Sequence, residues 1–447
     1  MRYNQPFDQP SNPNAPYVDG EPAAGIEGSI VPAASVEFDQ REIVEVIQTA
    51  FNRNYTDFSG AACAAPSNID LTQLRKAIEG FFRTLPTPSW YIDTPVTFTV
   101  HGSGADFPDL NSAFEYLSKY IITHNGSVKL DIAAGRWSYG SAGVVLDHAN
   151  ADRILVTGAN LVSNPVNGDF AVTGGSAAAR LNDRTHTLNQ LRTRFATELD
   201  FSGAGIRSSS LGMQIQNLLL VGDRAPYTAS PIAASGLLAV QNGLLYAANI
   251  SCCNGGANAI GISGGSLNLI DGSFLSGSGA ALHGIGLGAG GDFWHGSANT
   301  NIWMTSNDAN GIGAGFNCGA NGYAATWCNG NGGAGIACSI IGQFQVGPNS
   351  QFYLNAGNGV FVDQGVFYCD SGAFQQNGGA GLYVVVGSSA QVGGASASYF
   401  SGNGGGYNVA CGAGSYCYLP GVGGVAGSSS PPVNTPNGGS GGGYVAN

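Results

Sequence analysis

The stretches Asn331–Cys338 (NGGAGIAC) and Asn377–Val384 (NGGAGLYV) are near-copies of each other, and a glycine followed by an apolar residue carries their pattern along the chain. It recurs at Gly212, Gly236, Gly261, Gly284, Gly311, Gly335, Gly359, Gly381 and Gly406, with spacings of 24, 25, 23, 27, 24, 24, 22 and 25 residues. In most copies a second apolar residue follows two positions on, as with Leu287, Cys338, Val362 and Val384, which puts both side chains on one face of a strand. Asn-Gly or Gly-Gly often precedes the strand, where the chain can turn with positive φ. A period in the low twenties, made of strand and turn without helix, fits one rung of a parallel β-helix. A propeller blade needs about 40 residues, and a leucine-rich repeat would show its Leu/Asn signature.

The repeated half differs in composition from what precedes it. The chain has 447 residues, 71 glycines and a net charge of -12, and all 16 Lys and Arg lie at or before Arg224. Residues 225–447 hold 52 of the glycines and only five acids, Asp271, Asp292, Asp308, Asp363 and Asp370. Without a basic patch, counterion release from phosphates cannot drive nucleic-acid binding, and anionic membrane surfaces are poor partners. No apolar run of about 18 residues predicts a spanning helix, and the start, MRYNQP, lacks the apolar core of a secretory signal. No G-X-Y period exists, and the glycines sit among Val, Ile, Leu, Tyr and Phe, which excludes collagen and disorder. Nine cysteines, an odd number with no CxxC pair, read mostly as small buried thiols, and no Cys/His spacing suggests zinc.

Residues 1–38, with prolines at 6, 10, 13, 16, 22 and 32, read as an extended arm. Residues 39–94 read as a helical connector. Its first helix, over 40–54, aligns Ile43, Val46, Ile47 and Ala50, and its second follows a candidate N-cap Asp70 with Leu71, Leu74, Ile78 and Phe81 at 3-4-3 spacing. These stripes suit either a small helical domain or a bundle shared between identical subunits. Residues 95–425 read as the β-helix, capped by a helix over 109–122 that Pro108-Asp109 introduces, and residues 426–447 as a Gly/Ser/Pro-rich tail. No further helix is expected in the β body.

Residues 28–50 (GSIVPAASVEFDQREIVEVIQTA) and 70–78 (DLTQLRKAI) resemble the N-terminal attachment region of tailed-bacteriophage tail fibre proteins. Residues 97–160, with Gly104-Ala105-Asp106-Phe107-Pro108 leading into Leu110-Asn111-Ser112-Ala113, resemble the capped entry to the pectin-lyase-like right-handed parallel β-helix of phage fibres and tailspikes. The resemblance implies a homotrimeric virion appendage, assembled in the host cytoplasm, joined to other phage structural proteins through residues 1–38 and presenting its β-helix to a host-surface glycan. Oligomerisation would then fall to Leu71, Leu74, Ile78 and Phe81, with no cofactor or metal.

Catalysis has few residues to draw on. Lyases of this fold class resemble one another in using a basic side chain, and residues 225–447 offer only His283 and His295, each more often structural. Inverting hydrolysis needs two carboxylates roughly 6.5–9.5 Å apart, and the repeat phase sets Asp271 and Asp292 two positions apart on neighbouring rungs, near 8 Å, with Trp294 in register with Asp271. The plainer reading of both is as solvated turn aspartates. Gly261-Ile262-Ser263-Gly264-Gly265 matches an esterase elbow formally, but no helix follows it. Trp294, Trp303 and Trp327, with Phe293 and Tyr323, are the candidate glycan-stacking residues, against the alternative that they fill the interior. The expectation is a non-catalytic fibre adsorbing glycan, with a tailspike glycoside hydrolase as the alternative.

Overall fold

The computed structural model describes residues 33–57, 60–66, 72–84, 91–224, 236–296, 299–340, 342–393, 399–404, 407–412, 414–420, 429–430 and 444–446. The chain forms two compact units, 1–91 and 92–447. In the first, α1 (Ala33–Asn52) begins earlier than expected, inside the stretch read as an arm; residues 1–32 lie outside the described residues. Its partner α2 (Gln73–Thr84) packs on it through Ile47, Ala50, Cys63 and Ala77, with Leu74 and Phe81 half-buried against them. Gly80 permits this approach, because a Cβ there would lie 2.8 Å from Cβ of Tyr55. Of the four expected oligomerisation residues, Leu74 and Phe81 are therefore engaged within the chain. Ile78 is 42% exposed, and Leu71, like the Asp70 cap, lies outside the described residues.

The second unit is a parallel β-solenoid with three faces. One rung runs from Ile285–Gly288 on the first face through Asp292–Trp294 on the second to Asn301–Thr305 on the third. The next repeats it as Ile312–Ala314, Gly319–Asn321 and Ala325–Asn329. The first face is an 11-stranded parallel stack. Alternation sends Ile285, Ile312, Ile336, Val360, Leu382 and Val409 inward in one fully buried column, each worth roughly 1.5–3 kcal/mol of burial. Lower in the rod the second and third faces are joined by long strands, Leu211–Val221 and Leu244–Cys253. These turn the corner at Asn217 and Asn249, both left-handed (φ 58 and 55), whose side chains bond at 3.0 Å.

The glycine period has a steric cause. Gly284, Gly311, Gly335 and Gly359 form a column in which a Cβ would meet the carbonyl oxygen of the glycine one rung on, at 2.6, 2.6, 2.5 and 2.4 Å. Close approach, not positive φ, excludes side chains there. Beside it stands a buried asparagine ladder: Nδ2 of Asn307, Asn331, Asn355 and Asn377 donates to Oδ1 of Asn331, Asn355, Asn377 and Asn403 at 3.0, 3.0, 2.9 and 3.0 Å. Each of these four backbone N–H groups donates to the same Oδ1, and the second Nδ2 hydrogen goes to a carbonyl of the preceding rung, such as Cys328 O for Asn355 at 2.9 Å. Every donor and acceptor of the inner amides is thereby satisfied. Inside the rod, Phe352, Phe374 and Phe400 stack at 5.0 and 4.5 Å.

At the entry, Asp109 caps α3 (Leu110–Leu117) by accepting from Ser112 N at 2.7 Å, and Leu110, Ala113, Phe114 and Leu117 close over the core. The helix is shorter than the expected 109–122 because Ile121–Ile122 is already strand. At the other end, backbone pairing of Ser429–Ser430 and Tyr444–Ala446 carries two stacks into the stretch read as a tail.

One element contradicts the expectation of a helix-free body: α4 (Ala177–Arg194), inserted between strands Ile154–Gly158 and Thr197–Phe201. At 1.5 Å per residue it is about 27 Å long, close to six rungs at about 4.8 Å. It lies along the rod. Gly175, just before it, abuts Ala356, Arg180 and Arg184 reach Asp308, and Arg192 reaches Glu198 at 2.7 Å. Its buried residues are Asp183, Thr187 and Leu191, so it docks largely through polar groups that leave a weak apolar stripe.

Two outcomes are expected. Asn355→Ala strands the Asn331, Cys328 and Asn377 partners and should lower stability by about 3–5 kcal/mol in urea unfolding, whereas an unchanged midpoint would contradict the ladder's role. Burial opposes ionisation of Asp308, but the Arg224 and Arg184 guanidiniums outweigh it and hold its carboxyl below the usual range. A depressed pKa stabilises above the unfolded value of about 3.9 and is lost as pH falls through the folded one. Tryptophan emission should thus stay blue-shifted from neutrality down to about pH 4 and shift red below it, and Asp308→Ala should show the red shift already at neutral pH.

Candidate functional site

The second face carries the outward column that can meet a ligand. Pairings place Asn268, Trp294 and Asn321 one above another, continue through the Gly319–Gln343 register to Gln345, and then run through Tyr368, Gln391 and Tyr418. Trp294, Tyr368 and Tyr418 are 49%, 39% and 39% exposed, because their strand neighbours Phe293, Phe367 and Cys417 take the inward positions. Tyr368 stands three rungs above Trp294 and Tyr418 two above Tyr368, about 14 and 10 Å. Amide side chains fill the intervening positions. Alongside runs a second column, Ser266, Asp292, Gly319, Gln343, Val366, Ser389 and Tyr416. Between the two, Tyr368, Ser389, Gln391, Tyr416 and Tyr418 line a recess of about 230 Å³. Flat aromatic faces beside amide donors and acceptors suit a sugar ring, whose C–H face stacks and whose hydroxyls bond.

Of the three tryptophans expected to share this role, only Trp294 presents its ring. Trp303 and Trp327 point outward from the third face but are covered by the segment that leads into α4: Phe170 stacks on Trp303 at 4.5 Å, Trp303 on Trp327 at 5.5 Å, and Trp303 Nε1 donates to Asn167 at 3.0 Å. They belong to a core of their own with Leu191, Phe195 and Phe274. Tyr323 is exposed and Phe293 is internal. Tyr368, Tyr416 and Tyr418 were missed; alternation within strands Val366–Cys369 and Tyr416–Tyr418 was the available signal.

The carboxylate pair does not assemble. Asp292 pairs laterally with Ser266 and Trp294 with Asn268, so Asp271 lies five positions beyond the partner of Asp292, on the order of 15 Å along the strand before the chain turns. The glycine phase breaks at Gly261, which aligns with Gly286 and not Gly284. Half-burial raises the pKa of Asp292 against a bond from the Phe293 backbone that lowers it, while Asp271 sits in an exposed turn. Asp308 is taken up by Arg180, Arg184 and Arg224.

The histidines are structural in their bonding. His295 is buried, bonds Gln345 O at 2.9 Å, and has its pKa lowered by burial to about 4. His283 accepts from Asn310 N at Nδ1 (3.1 Å) and is also pushed towards neutrality by burial. It overhangs a first-face cavity of about 540 Å³ floored by Gly286, Gly288, Gly313 and Gly315, where Ser263 also lies with no histidine–carboxylate pair bonded to it. All nine cysteines are buried and none forms a disulfide, and burial pushes the Cys253 and Cys338 thiols up to about 12. Among the described residues, no three His, Cys, Asp or Glu group to hold a metal, and no helix is long and apolar enough to cross a membrane.

No family model and no curated protein matches the chain. Among solved structures it is similar to the A-module of the mannuronan C-5 epimerase AlgE4 of Azotobacter vinelandii, at 11% identity over 72% of this chain and 87% of that one, with a TM-score of 0.43. It is also similar to the A-module of the Azotobacter vinelandii epimerase AlgE6, at 13% identity over 68% and 80% of the two chains, with a TM-score of 0.36.

Proposed function

We propose that this chain is a non-catalytic fibre of a tailed bacteriophage that adsorbs to an uncharged host-surface glycan through the second face of its β-solenoid. The carrying observation is the column Trp294–Asn321–Gln345–Tyr368–Gln391–Tyr418, in which exposed aromatic rings alternate with exposed or half-buried amides along one edge of a rigid stack. Strands fix the spacing of these rings, so little side-chain order has to be created on binding. The virion assignment rests on the likeness of residues 28–50 and 70–78 to fibre attachment regions. Self-association as a homotrimer belongs to the same proposal and is favoured by the exposed Ile43, Val44, Phe51 and Ile78 of the first unit. The hydrolase alternative, with Asp271 and Asp292 as acid and base, is disfavoured by their separation along the strands.

Titration of the full-length chain with purified host polysaccharide should give saturable binding, weakened about tenfold by Tyr368→Ala or Trp294→Ala, without released oligosaccharide. Binding indifferent to both substitutions would remove the second face as the site. Oligosaccharide release that disappears in Asp292→Asn would reinstate the enzyme.

A further inference from the structure

The clamp that seats α4 carries more positive charge than its protein partner can neutralise. Arg180 Nε and Arg184 Nη2 donate to Oδ1 of Asp308 at 3.2 and 3.1 Å, and Arg224 Nη2 donates to Oδ2. The Arg180 and Arg184 side chains are each only 11% exposed, that of Arg224 26% and that of Asp308 34%. Three guanidiniums thus share one carboxylate. The nearest other acid along the helix, Asp183, is occupied by the backbone N–H and hydroxyl of Thr173, both at 2.8 Å. Residues 225–235 (APYTASPIAAS), which follow Arg224, contain no acid that could supply the missing charge.

Among the described residues the guanidinium nitrogens are not exhausted either. Arg180 Nη1 donates to Gly175 O, Arg184 Nε to Arg180 O at 3.1 Å, and Arg224 Nη1 to Gly279 O, which orients all three groups. Arg180 Nη2, Arg184 Nη1 and Arg224 Nε take no part in these bonds or in those to Asp308. Like charges held this close in a partly desolvated place repel, and burial together with Arg224 pulls the Arg184 pKa down while Asp308 opposes it. A planar or tetrahedral oxyanion matches such donors, since its several oxygens accept charge-assisted bonds from fork-shaped guanidiniums.

We propose that Arg180, Arg184 and Arg224 form an oxyanion-binding site beside Asp308, at the turn that follows the third face and away from the Trp294 column. Its ligand bears a sulfate, phosphate or carboxylate group, either as a free inorganic ion or as the acidic substituent of a sugar. Occupancy neutralises the excess charge and tightens the hold of α4 on the rod.

The test is calorimetric titration of the full-length chain with sodium sulfate, sodium phosphate and sodium glucuronate, at ionic strength matched with sodium chloride, alongside thermal melts. One saturable site per chain and a melting temperature that rises with the oxyanion but not with matched chloride are expected. Arg184→Gln should bind about tenfold more weakly. Asp308→Asn keeps all three guanidiniums but loses the carboxylate that seats them, so it should melt below wild type in chloride and regain thermal stability on adding sulfate, which a variant merely damaged in folding would not do. Preference for glucuronate over both inorganic ions assigns a sugar acid, and equal or stronger binding of sulfate or phosphate assigns a free ion. Absence of saturable binding for all three anions, an Arg184→Gln affinity equal to wild type, or no recovery of Asp308→Asn by sulfate overturns the proposal.

Discussion

Parallel strands can stack indefinitely only if each turn repeats the position of the one below, and in this protein that constraint is met by the asparagine ladder pressed against the glycine column. The ladder residues sit 24, 24, 22 and 26 positions apart, and those unequal spacings are absorbed elsewhere in the rung while the amides stay superposed. Any side chain on the column would strike the next rung's carbonyl, and any gap in the ladder would leave buried amides without partners. The inward Ile/Val/Leu column and the Phe352–Phe374–Phe400 stack add unspecific burial on top of this. Register itself is set by the polar turn, and register decides which side chains share an outward column.

The same register explains the chemical character of the surface. A rod whose turns are Asn and Gly needs no charged residues to hold its shape, so residues 225–447 can present amides, hydroxyls and aromatic rings almost without ionic groups. Charge enters where α4 must be fixed: Arg180, Arg184 and Arg224, from the half that holds every Lys and Arg, close on Asp308 of the other. The compositional boundary at residue 224 is thus bridged by an ionic contact, and the two compositions belong to one solenoid.

Much of this was legible in the sequence and some was not. The period Gly284–Gly311–Gly335–Gly359–Gly381 gave the fold class because a backbone contact repeated at every rung leaves an unambiguous residue. The phase failed at Gly261, which lies inside strand Asn258–Ser263 and aligns with Gly286, and again near the C-terminal end, where Val409 and not Tyr407 pairs with Leu382. Helix α4 escaped notice because its docking face is arginine, aspartate and threonine. Alternation alone correctly sends Trp294, Trp303 and Trp327 outward, yet Asn167, which helps to cover Trp303, lies 136 residues earlier, so no local pattern could separate the buried pair from the exposed one. The Asp271–Asp292 pair failed with the phase on which its distance depended.

The proposed function has a nearly chargeless, ladder-registered face recognise an uncharged glycan by stacking and neutral hydrogen bonds. Its most direct test is the affinity of the full-length protein for purified host polysaccharide as salt rises from about 0.1 to about 1 M, over which the screening length falls from about 10 to about 3 Å. An affinity constant across that range is the predicted result. A steep loss of binding with salt would contradict the account.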